Sequence, residues 1–138
     1  MGVSDCSIVD IPKVLDNRGN LSFVEQCRHI PFKIRRTYWI YDVPGGEERG
    51  GHAYYRNDEF IIALSGSFDV VVSDGEVERV FSLNRSYFGL YVPHGLWRSM
   101  RNFSTNAVAL EFGSVPYAES DYIYDFQLFK KLRRNGEV

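Results

Sequence analysis

The chain has 138 residues, a formal net charge of −2 and an aromatic content of 15%. This length suits a single domain with one core, and the weakly negative charge is unlike the basic balance of most nucleic-acid-binding proteins. No signal-peptide pattern opens the chain and no apolar run approaches the ~20 residues of a membrane-spanning helix, so the sequence predicts a cytoplasmic protein with neither nucleic acid nor membrane as partner.

Short strands separated by turns are the predicted elements of the first half. Residues 6–14 and 21–25 are predicted strands that flank a polar turn, and residues 34–41 form the next one. On this third strand Arg36, Tyr38 and Ile40 share one face, since side chains two apart project together. A charged, aromatic and apolar mixture on one face indicates the wall of a site. For Tyr38 the alternative is a core tyrosine with a bonded hydroxyl.

The second half continues with strands and ends in a helical pattern. Asp74-Gly75 lies between two β-branched runs and predicts a hairpin with a type I′ turn. Further strands follow at residues 87–92, 96–103 and 107–112, which favours a sandwich or barrel. A helix is predicted over residues 120–134, with Ser120 as its N-cap. The sequence therefore predicts one all-β domain, residues 1–138, with a short C-terminal helix.

Four residues of the middle segment match the frame of the first cupin motif, Gly-x5-His-x-His-x(3,4)-Glu-x6-Gly. They are Gly46, His52, Glu59 and Gly66, and Tyr54 stands where the second histidine is expected. His52 and Tyr54 would project from one face of a strand into the space that it lines. Glu59 would open the next strand and face the same space. The match predicts a cupin jelly roll.

A second cupin motif, Gly-x5-Pro-x-Gly-x2-His-x3-Asn, matches near residue 93, but its leading glycine is displaced to Gly89 and Arg98 takes its histidine position. His94 fills a variable slot and is not expected to replace that histidine. Cupin metals are normally held by three histidines and a carboxylate, of which only His52 and Glu59 remain. A guanidinium cannot ligate a metal, so the sequence predicts no metal and no cofactor. A metal-dependent cupin dioxygenase is a third-ranked alternative.

Seven short segments resemble the nucleotide-sugar 3,4-ketoisomerases, which are cupin enzymes. The resemblance implies conversion of TDP-4-keto-6-deoxyglucose into a TDP-3-keto-6-deoxyhexose, without metal, for the synthesis of deoxyaminosugars. It also implies a homodimer that exchanges N-terminal strands within residues 1–30. The segments are Asp16-Asn17-Arg18-Gly19, Arg36-Thr37-Tyr38, Arg49-Gly50-Gly51-His52-Ala53, Leu64-Ser65-Gly66-Ser67, Gly89-Leu90-Tyr91-Val92-Pro93, Leu96-Trp97 and Asp121-Tyr122-Ile123.

Moving a carbonyl from C4 to C3 requires removal of the C3 proton, an enediol intermediate and proton delivery to C4. His52 is the candidate base, because an imidazole has an unperturbed pKa close to neutral pH. Tyr38 and Tyr54 are the candidate proton donors. Glu59 would orient an imidazole or pair with Arg98.

The diphosphate of the substrate calls for permanent planar cations, which favours arginine over lysine. The candidate substrate-binding residues are Arg18, Arg36, Arg49 and Arg98, with Glu59 beside them. For any one of these arginines the alternative is a surface ion pair.

The replacement of a histidine by Tyr54 leaves three functions open. Isomerisation can survive with His52 as base and Tyr54 as donor. The protein can instead catalyse a related step on a keto sugar, such as epimerisation, or bind the nucleotide sugar without turnover. The first is the principal hypothesis, because the arginines and aromatics of the predicted cavity are present.

Overall fold

The computed structural model describes residues 2–138 as two five-stranded antiparallel sheets that face each other, with a two-stranded hairpin and one α-helix. The predicted all-β jelly roll with a short C-terminal helix is confirmed. The first sheet has the order β1-β9-β6-β11-β4 and the second the order β12-β5-β10-β7-β8. The elements are β1 (Ser7–Asp10), β2 (Lys13–Val14), β3 (Leu21–Ser22), β4 (Arg36–Ile40), β5 (Arg49–Tyr54), β6 (Glu59–Ser65), β7 (Phe68–Ser73), β8 (Glu78–Leu83), β9 (Phe88–Val92), β10 (Trp97–Arg101), β11 (Val108–Gly113), β12 (Tyr122–Ile123) and α1 (Phe126–Arg134).

The core lies between the two sheets, where alternate side chains of each strand point inward. Ile61 and Leu90 of the first sheet pack in one cluster with Phe68, Leu83 and Met100 of the second. All five are buried. This cluster fills one end of the barrel with apolar side chains and leaves the other end to the polar residues described below.

The outer faces of both sheets are also partly covered. Ile30 and Phe32, from the segment before β4, pack against Phe60 and Ile62 of β6. Strand β6 is therefore buried on both faces, which explains its continuous apolar run. Helix α1 covers the second sheet through Phe129 and other apolar residues. No helix of the described chain is both long enough and apolar enough to cross a membrane.

A β-bulge in β5 shapes the strand that carries His52. Arg98 is paired with His52 but Met100 with Arg49, so β5 has one residue more than β10 at this point. The extra residue is accommodated at Gly50, whose φ of +71° favours glycine. A Cβ on Gly50 would also collide with Nη1 of Arg98. The glycine at position 50 is thus favoured by both the bulge and the packing of Arg98.

Gly66, the last glycine of the first cupin motif, lies in a tight turn. It joins β6 to β7 with a φ of +67°, and a Cβ there would lie 2.8 Å from Cα of Ala107. A glycine at this position satisfies both the backbone conformation and the close approach.

The C-terminal helix begins later than the sequence predicted. It starts at Phe126, because the side chain of Asp125 accepts hydrogen bonds from the backbone N–H groups of Gln127 and Leu128. Ser120 is therefore not the N-cap and lies in a 3₁₀ turn, Glu119–Asp121. Residues Tyr122–Ile123 form β12 and pair with β5. Tyr122, Phe126 and Phe129 recur at helical spacing, but Tyr122 belongs to the sheet, so this spacing predicted a helix that is too long.

Two other boundaries differ from prediction. The turn between β7 and β8 is a four-residue loop, residues 74–77, because the side chain of Asp74 accepts hydrogen bonds from the N–H groups of Glu76 and Val77. It is not a two-residue type I′ turn. The N-terminal strands are shorter than predicted, since Pro12 separates β1 from β2. The exchange of residues 1–30 between two copies stays a prediction.

Candidate active site

A cavity of about 930 Å³ opens at the polar end of the barrel. Strands β4 and β5 supply much of its wall, and the segment around β12 closes one side. His52 and Tyr38, two predicted catalytic residues, both line it, as do the predicted binding residues Arg36, Arg49 and Arg98. The other residues of its wall are Trp39, Ile40, Tyr41, Asp42, Val43, Pro44, Glu47, Glu48, Gly50, Gly51, Tyr117, Tyr122 and Tyr124.

Arg98 is the centre of a buried ion network at the base of the cavity. Its Nε and Nη2 donate to the two carboxylate oxygens of Glu59 at 2.8 and 2.7 Å, a bidentate pair. Nη2 also donates to Oε1 of Glu111 at 2.8 Å and to the hydroxyl of Tyr38 at 3.0 Å. Nη1 donates to the carbonyl of Gly50 at 3.0 Å. The predicted pairing of Glu59 with Arg98 is present in the structure.

This network changes the interpretation of Arg98. Its side chain is 1% exposed and each guanidinium nitrogen donates to a protein oxygen. An arginine bound in this way supplies fixed positive charge beneath the cavity rather than a free fork for a phosphate. Direct contact between Arg98 and a substrate diphosphate stays a prediction, and the geometry favours Arg36 and Arg49 for that part.

The two carboxyl groups at Arg98 have opposite pKa shifts. Burial acts to raise the pKa of Glu59, but the charge of Arg98 and its hydrogen bonds to the carboxylate together outweigh burial, so the pKa of Glu59 is lowered. Burial raises the pKa of Glu111 to about 8; the charge of Arg98 opposes this shift and the negative charge of Glu59 adds to it. Of the two carboxyl groups bound to Arg98, Glu59 therefore favours the ionised form and Glu111 the protonated form.

His52 lies on the cavity wall among aromatic rings. Its ring centroid is 4.7 Å from that of Tyr54, 5.0 Å from that of Tyr122 and 6.1 Å from that of Tyr124. Burial, and next the charge of Arg98, lower the pKa of His52 to about 3, so the imidazole is neutral at pH 7. Within residues 2–138, Nε2 of His52 has no hydrogen-bond partner. This nitrogen is buried, so the imidazole ring lines the cavity while its Nε2 has no protein partner.

Three tyrosine hydroxyls and one arginine form a connected group beside His52. The hydroxyl of Tyr54 is 3.4 Å from those of Tyr38 and Tyr122. Arg36 donates to the hydroxyl of Tyr122 at 3.3 Å and to that of Tyr54 at 3.4 Å. Its guanidinium carbon also lies 5.5–5.8 Å from the ring centroids of four tyrosines, within cation–π range. The side chain of Arg36 is therefore held in place by aromatic faces and hydroxyls.

Tyr54 lies behind this wall rather than on it. The residue is 2% exposed and does not line the cavity, and its hydroxyl contacts three residues that do, Tyr38, Tyr122 and Arg36. Burial raises the pKa of both Tyr38 and Tyr54, so both phenols keep their protons at neutral pH. Of the two candidate donors, Tyr38 is the one that faces the cavity. The direct catalytic role of Tyr54 stays a prediction.

Two predicted arginines have different surroundings. Arg49 is exposed on the cavity wall, where it can meet a ligand. Arg18 lies in the turn between β2 and β3, is exposed, and pairs with Asp16 at 2.8 Å. It is not among the residues that line the cavity, so a single chain does not bring it to the site. His94 also lies outside the cavity, and its ring bonds to Asp58 at 2.8 Å.

Sequence reasoning missed Glu111 and the tyrosines Tyr117, Tyr122 and Tyr124. Glu111 interrupts the apolar strand β11, and a lone carboxylate in such a strand was the available signal. Tyr122 was quoted in the family segment Asp121-Tyr122-Ile123 but was assigned to a helix. Nothing in the sequence distinguishes Tyr117 or Tyr124 from exposed aromatic residues.

Across the described residues, no three His, Cys, Asp or Glu side chains lie close enough together to hold a metal ion. At the position of the second-motif histidine, Arg98 directs its guanidinium to Glu59, the carboxylate of the first motif.

Comparison with known proteins identifies the family. The FdtA family model, described as "WxcM-like, C-terminal", matches residues 4–134. The TDP-4-oxo-6-deoxy-alpha-D-glucose-3,4-oxoisomerase of Aneurinibacillus thermoaerophilus is 36% identical over 124 residues, which cover 90% of this chain and 89% of that protein. A 3,4-ketoisomerase from Helicobacter canadensis has a similar structure, with a TM-score of 0.92 and 37% identity over 94% of this chain and 98% of that one.

A third similar protein was solved with a ligand. The sugar 3,4-ketoisomerase QdtA from Thermoanaerobacterium thermosaccharolyticum, in complex with TDP, has a TM-score of 0.94 and 27% identity, and the match covers 99% of both chains. The family resemblance drawn from the sequence is confirmed by these matches. These three similar proteins are sugar 3,4-oxoisomerases or 3,4-ketoisomerases, and the chain belongs to the FdtA family of WxcM-like C-terminal domains.

Proposed function

We propose that this protein is a sugar 3,4-ketoisomerase that converts TDP-4-keto-6-deoxyglucose into a TDP-3-keto-6-deoxyhexose for deoxyaminosugar synthesis. The names of its relatives support this reaction class. The observation that carries the proposal is the cavity itself. A neutral imidazole, His52, lines the same space as a phenol donor, Tyr38, and two arginines, Arg36 and Arg49.

The reaction divides into two proton transfers at carbon. His52 takes the proton from C3, the C3–H bond electrons form a C3=C4 double bond, and the C4 carbonyl oxygen takes the negative charge. Tyr38 donates to that oxygen or stabilises it, and the fixed charge of Arg98 lies beneath. The proton is then delivered from His52 to C4, and the proton of the C3 hydroxyl passes to the C4 oxygen by way of Tyr38, so that C3 becomes the carbonyl and the C4 oxygen a hydroxyl. Substrate and product are isomers, so no oxidant is consumed.

The lowered pKa of His52 has a consequence for when it acts as a base. In the free protein, burial and the neighbouring arginines hold the imidazole neutral. A bound nucleotide diphosphate brings negative charge into the cavity and partly offsets the arginines. We expect substrate binding to raise the pKa of His52 and to make it a stronger base when a substrate is present.

Tyr54 supports Tyr38 in this scheme from behind the wall. Its hydroxyl is linked to those of Tyr38 and Tyr122, so it can accept or return a proton through them. A phenol there also avoids placing a second ionisable imidazole next to Arg36. We propose that this arrangement preserves isomerisation although the motif histidine is absent.

Arg18 and the N-terminal hairpin bear on the quaternary structure. We propose a cytoplasmic homodimer that exchanges N-terminal strands, in which Arg18 of one copy approaches the cavity of the other. Its distance from the cavity of its own chain and its exposed position are consistent with this arrangement. Two free cysteines, Cys6 and Cys27, are consistent with a reducing compartment.

The test is proton exchange at C3 of the substrate. The protein is incubated with TDP-4-keto-6-deoxyglucose in D2O, and deuterium at C3 is followed by NMR. We expect uptake with the wild-type protein and a rate lower by about 10²-fold or more in the His52→Asn variant. The control is His94→Asn, because His94 bonds to Asp58 outside the cavity.

Binding must be measured alongside exchange. If the wild-type protein binds TDP but takes up no deuterium, it is a nucleotide-sugar-binding protein and the proposal fails. Uptake at C5 instead of C3 would indicate an epimerase. Equal rates for His52→Asn and wild type would remove His52 from the mechanism.

A further inference from the structure

Glu111 is a buried carboxyl group that the proposed reaction has not used. Its exposure is 0%, and it does not line the cavity. Oε1 accepts hydrogen bonds from the Tyr38 hydroxyl at 2.9 Å and from Nη2 of Arg98 at 2.8 Å. No N–H or O–H group in residues 2–138 donates to Oε2. A buried carboxylate oxygen that receives no hydrogen bond disfavours the ionised form, because burial penalises a charge that no donor stabilises.

The charges around Glu111 favour the same assignment. Glu111 faces Tyr38 on β4, Glu59 on β6 and Arg98 on β10; more distant neighbours are Arg36 on β4 and His52 on β5. His52 is neutral, and Arg36 interacts with the tyrosine rings instead. Arg98 thus provides a single positive charge for two carboxyl groups. One ionised carboxylate neutralises it, and a second would leave a buried net charge of −1.

We propose that Glu111 is protonated in the working enzyme and is the positioning residue whose neutral carboxyl group leaves the proton of Tyr38 available to the sugar. The proposal rests on the isomerase function proposed above. An ionised Glu111 would hold the Tyr38 proton in a charge-assisted hydrogen bond, about twice as strong as a neutral one. A neutral Glu111 accepts the same hydrogen bond weakly, so Tyr38 can redirect its proton toward the oxygen of the substrate.

Neutrality matters for the developing charge as well. The enediolate is negative, and the fixed charges beneath it act through a medium of low dielectric. With Glu111 protonated, the group formed by Arg98, Glu59 and Glu111 is neutral overall, and the hydroxyl of Tyr38 donates to an uncharged carboxyl group. With Glu111 ionised, the same group would repel both the diphosphate and the enediolate.

The first test is the pH profile of the isomerisation rate. Since the pKa of Glu111 is raised to about 8, kcat of the wild-type protein should fall about tenfold between pH 7 and pH 9. Glu111→Gln cannot ionise and keeps the shape of the neutral acid, so its profile should be flat over this range. A Glu111→Gln profile that falls with the wild-type midpoint would overturn the proposal, because the titrating group would then lie elsewhere.

The same substitution at the other carboxylate is the matched control. Glu59 contacts the same Arg98 nitrogen, and its negative charge helps to raise the pKa of Glu111. Glu59→Gln should therefore move the alkaline fall of kcat to lower pH, whereas Glu111→Gln should abolish it. Identical profiles for the two variants would show that neither carboxyl group has the assigned role.

A second measurement needs no turnover. The infrared spectrum of the wild-type protein in D2O at pH 7 should contain the C=O stretch of a buried carboxylic acid. That band should disappear above pH 9 and be absent from Glu111→Gln. Its absence from the wild-type protein at pH 7 would overturn the proposal. If the band is present but the protein does not exchange the C3 proton, the proposed function fails while the protonation of Glu111 stands.

Discussion

The two ends of the barrel are built from the same strands but are stabilised by different interactions. On β6, β10 and β11, the inward residues at the open end are Glu59, Arg98 and Glu111. Two residues farther along the same strands, the inward side chains are Ile61, Met100 and Ala109, all in the apolar cluster. The apolar end is stabilised by contact area, whereas the polar end depends on the pairing of each charge. The comparison indicates that the same strands carry core residues, which stabilise the fold, at one end and charged residues, which belong to the site, at the other.

The largest loss of stability is expected for Arg98→Met, a substitution at the polar end. Removing the cation leaves Glu59 buried without a partner, so we expect a loss of about 3–5 kcal/mol of unfolding free energy. The control is Met100→Leu, on the same strand and the same face, which should cost less than about 1.5 kcal/mol. Urea unfolding of both variants measures the difference. Equal losses would mean that the polar end is not held by charge pairing.

At the apolar end the expected loss is of stability alone. Leu83 is fully buried, and Leu83→Ala should lower the unfolding free energy by about 2–5 kcal/mol through a cavity. Because Leu83 is remote from the cavity residues, C3 proton exchange by the folded fraction should stay near the wild-type rate. Val80→Thr, at an exposed position of the same strand, should stay within about 0.5 kcal/mol of wild type. Loss of exchange in folded Leu83→Ala would contradict the separation of the two ends.

At the polar end the tyrosines should show the reverse pattern. Tyr38→Phe removes the donor that faces the cavity, and exchange should slow by about 10²-fold, which is about 2.7 kcal/mol. Tyr54→Phe removes the hydroxyl of a residue that does not line the cavity, and exchange should slow by about tenfold. An effect of Tyr54→Phe as large as that of Tyr38→Phe would place Tyr54 in direct contact with the substrate.

The last prediction concerns the pH dependence of the unfolding free energy, to which His52 and Glu111 contribute in opposite directions. The pKa of His52 is lowered from 6.5 to about 3, so the unfolded chain binds its proton first and stability falls as the pH drops below 6.5. The pKa of Glu111 is raised from 4.5 to about 8, so the folded chain binds its proton first and stability rises as the pH drops through 8. In the wild-type protein these two dependences nearly cancel between pH 7 and pH 5.

Single substitutions should expose each dependence. From pH 7 to pH 5, Glu111→Gln should lose about 2 kcal/mol of unfolding free energy and His52→Asn should gain about 2 kcal/mol. Urea unfolding at the two pH values measures both. If neither variant differs from wild type in its pH dependence, the two groups titrate in the folded chain as they do in the unfolded one.

The fold and part of the site were predictable because their signals are local. Spacing alone aligned His52 with Glu59, and the alternation of β4 placed Arg36 and Tyr38 on the inward face, as the structure has them. The pairing of Glu59 with Arg98 followed from two motif positions. These inferences need only the period of a strand and a known frame.

The rest depends on contacts between distant segments. Tyr122 joins the site because β12 pairs with β5, and helical spacing in the sequence pointed elsewhere. Glu111 becomes significant only when β11 lies between β4 and β6, beside Tyr38 and Glu59. The side chain of Tyr54 points into the barrel, as the spacing predicted. Its position behind Tyr38 and Tyr122 depends on how those rings pack and could not be read from the sequence.

The edge position of β12 has a consequence for the order of folding. Ile123 pairs with Ala53, so this contact closes a long segment of chain, whereas β7 and β8 are joined by a short loop. Long-range contacts are entropically costly to form and tend to come late. We expect the hairpin of β7 and β8 to form early, and β12, which carries Tyr122 to the cavity, to pair with β5 last. A nascent chain would therefore have a nucleus for its core well before it could recognise a nucleotide sugar.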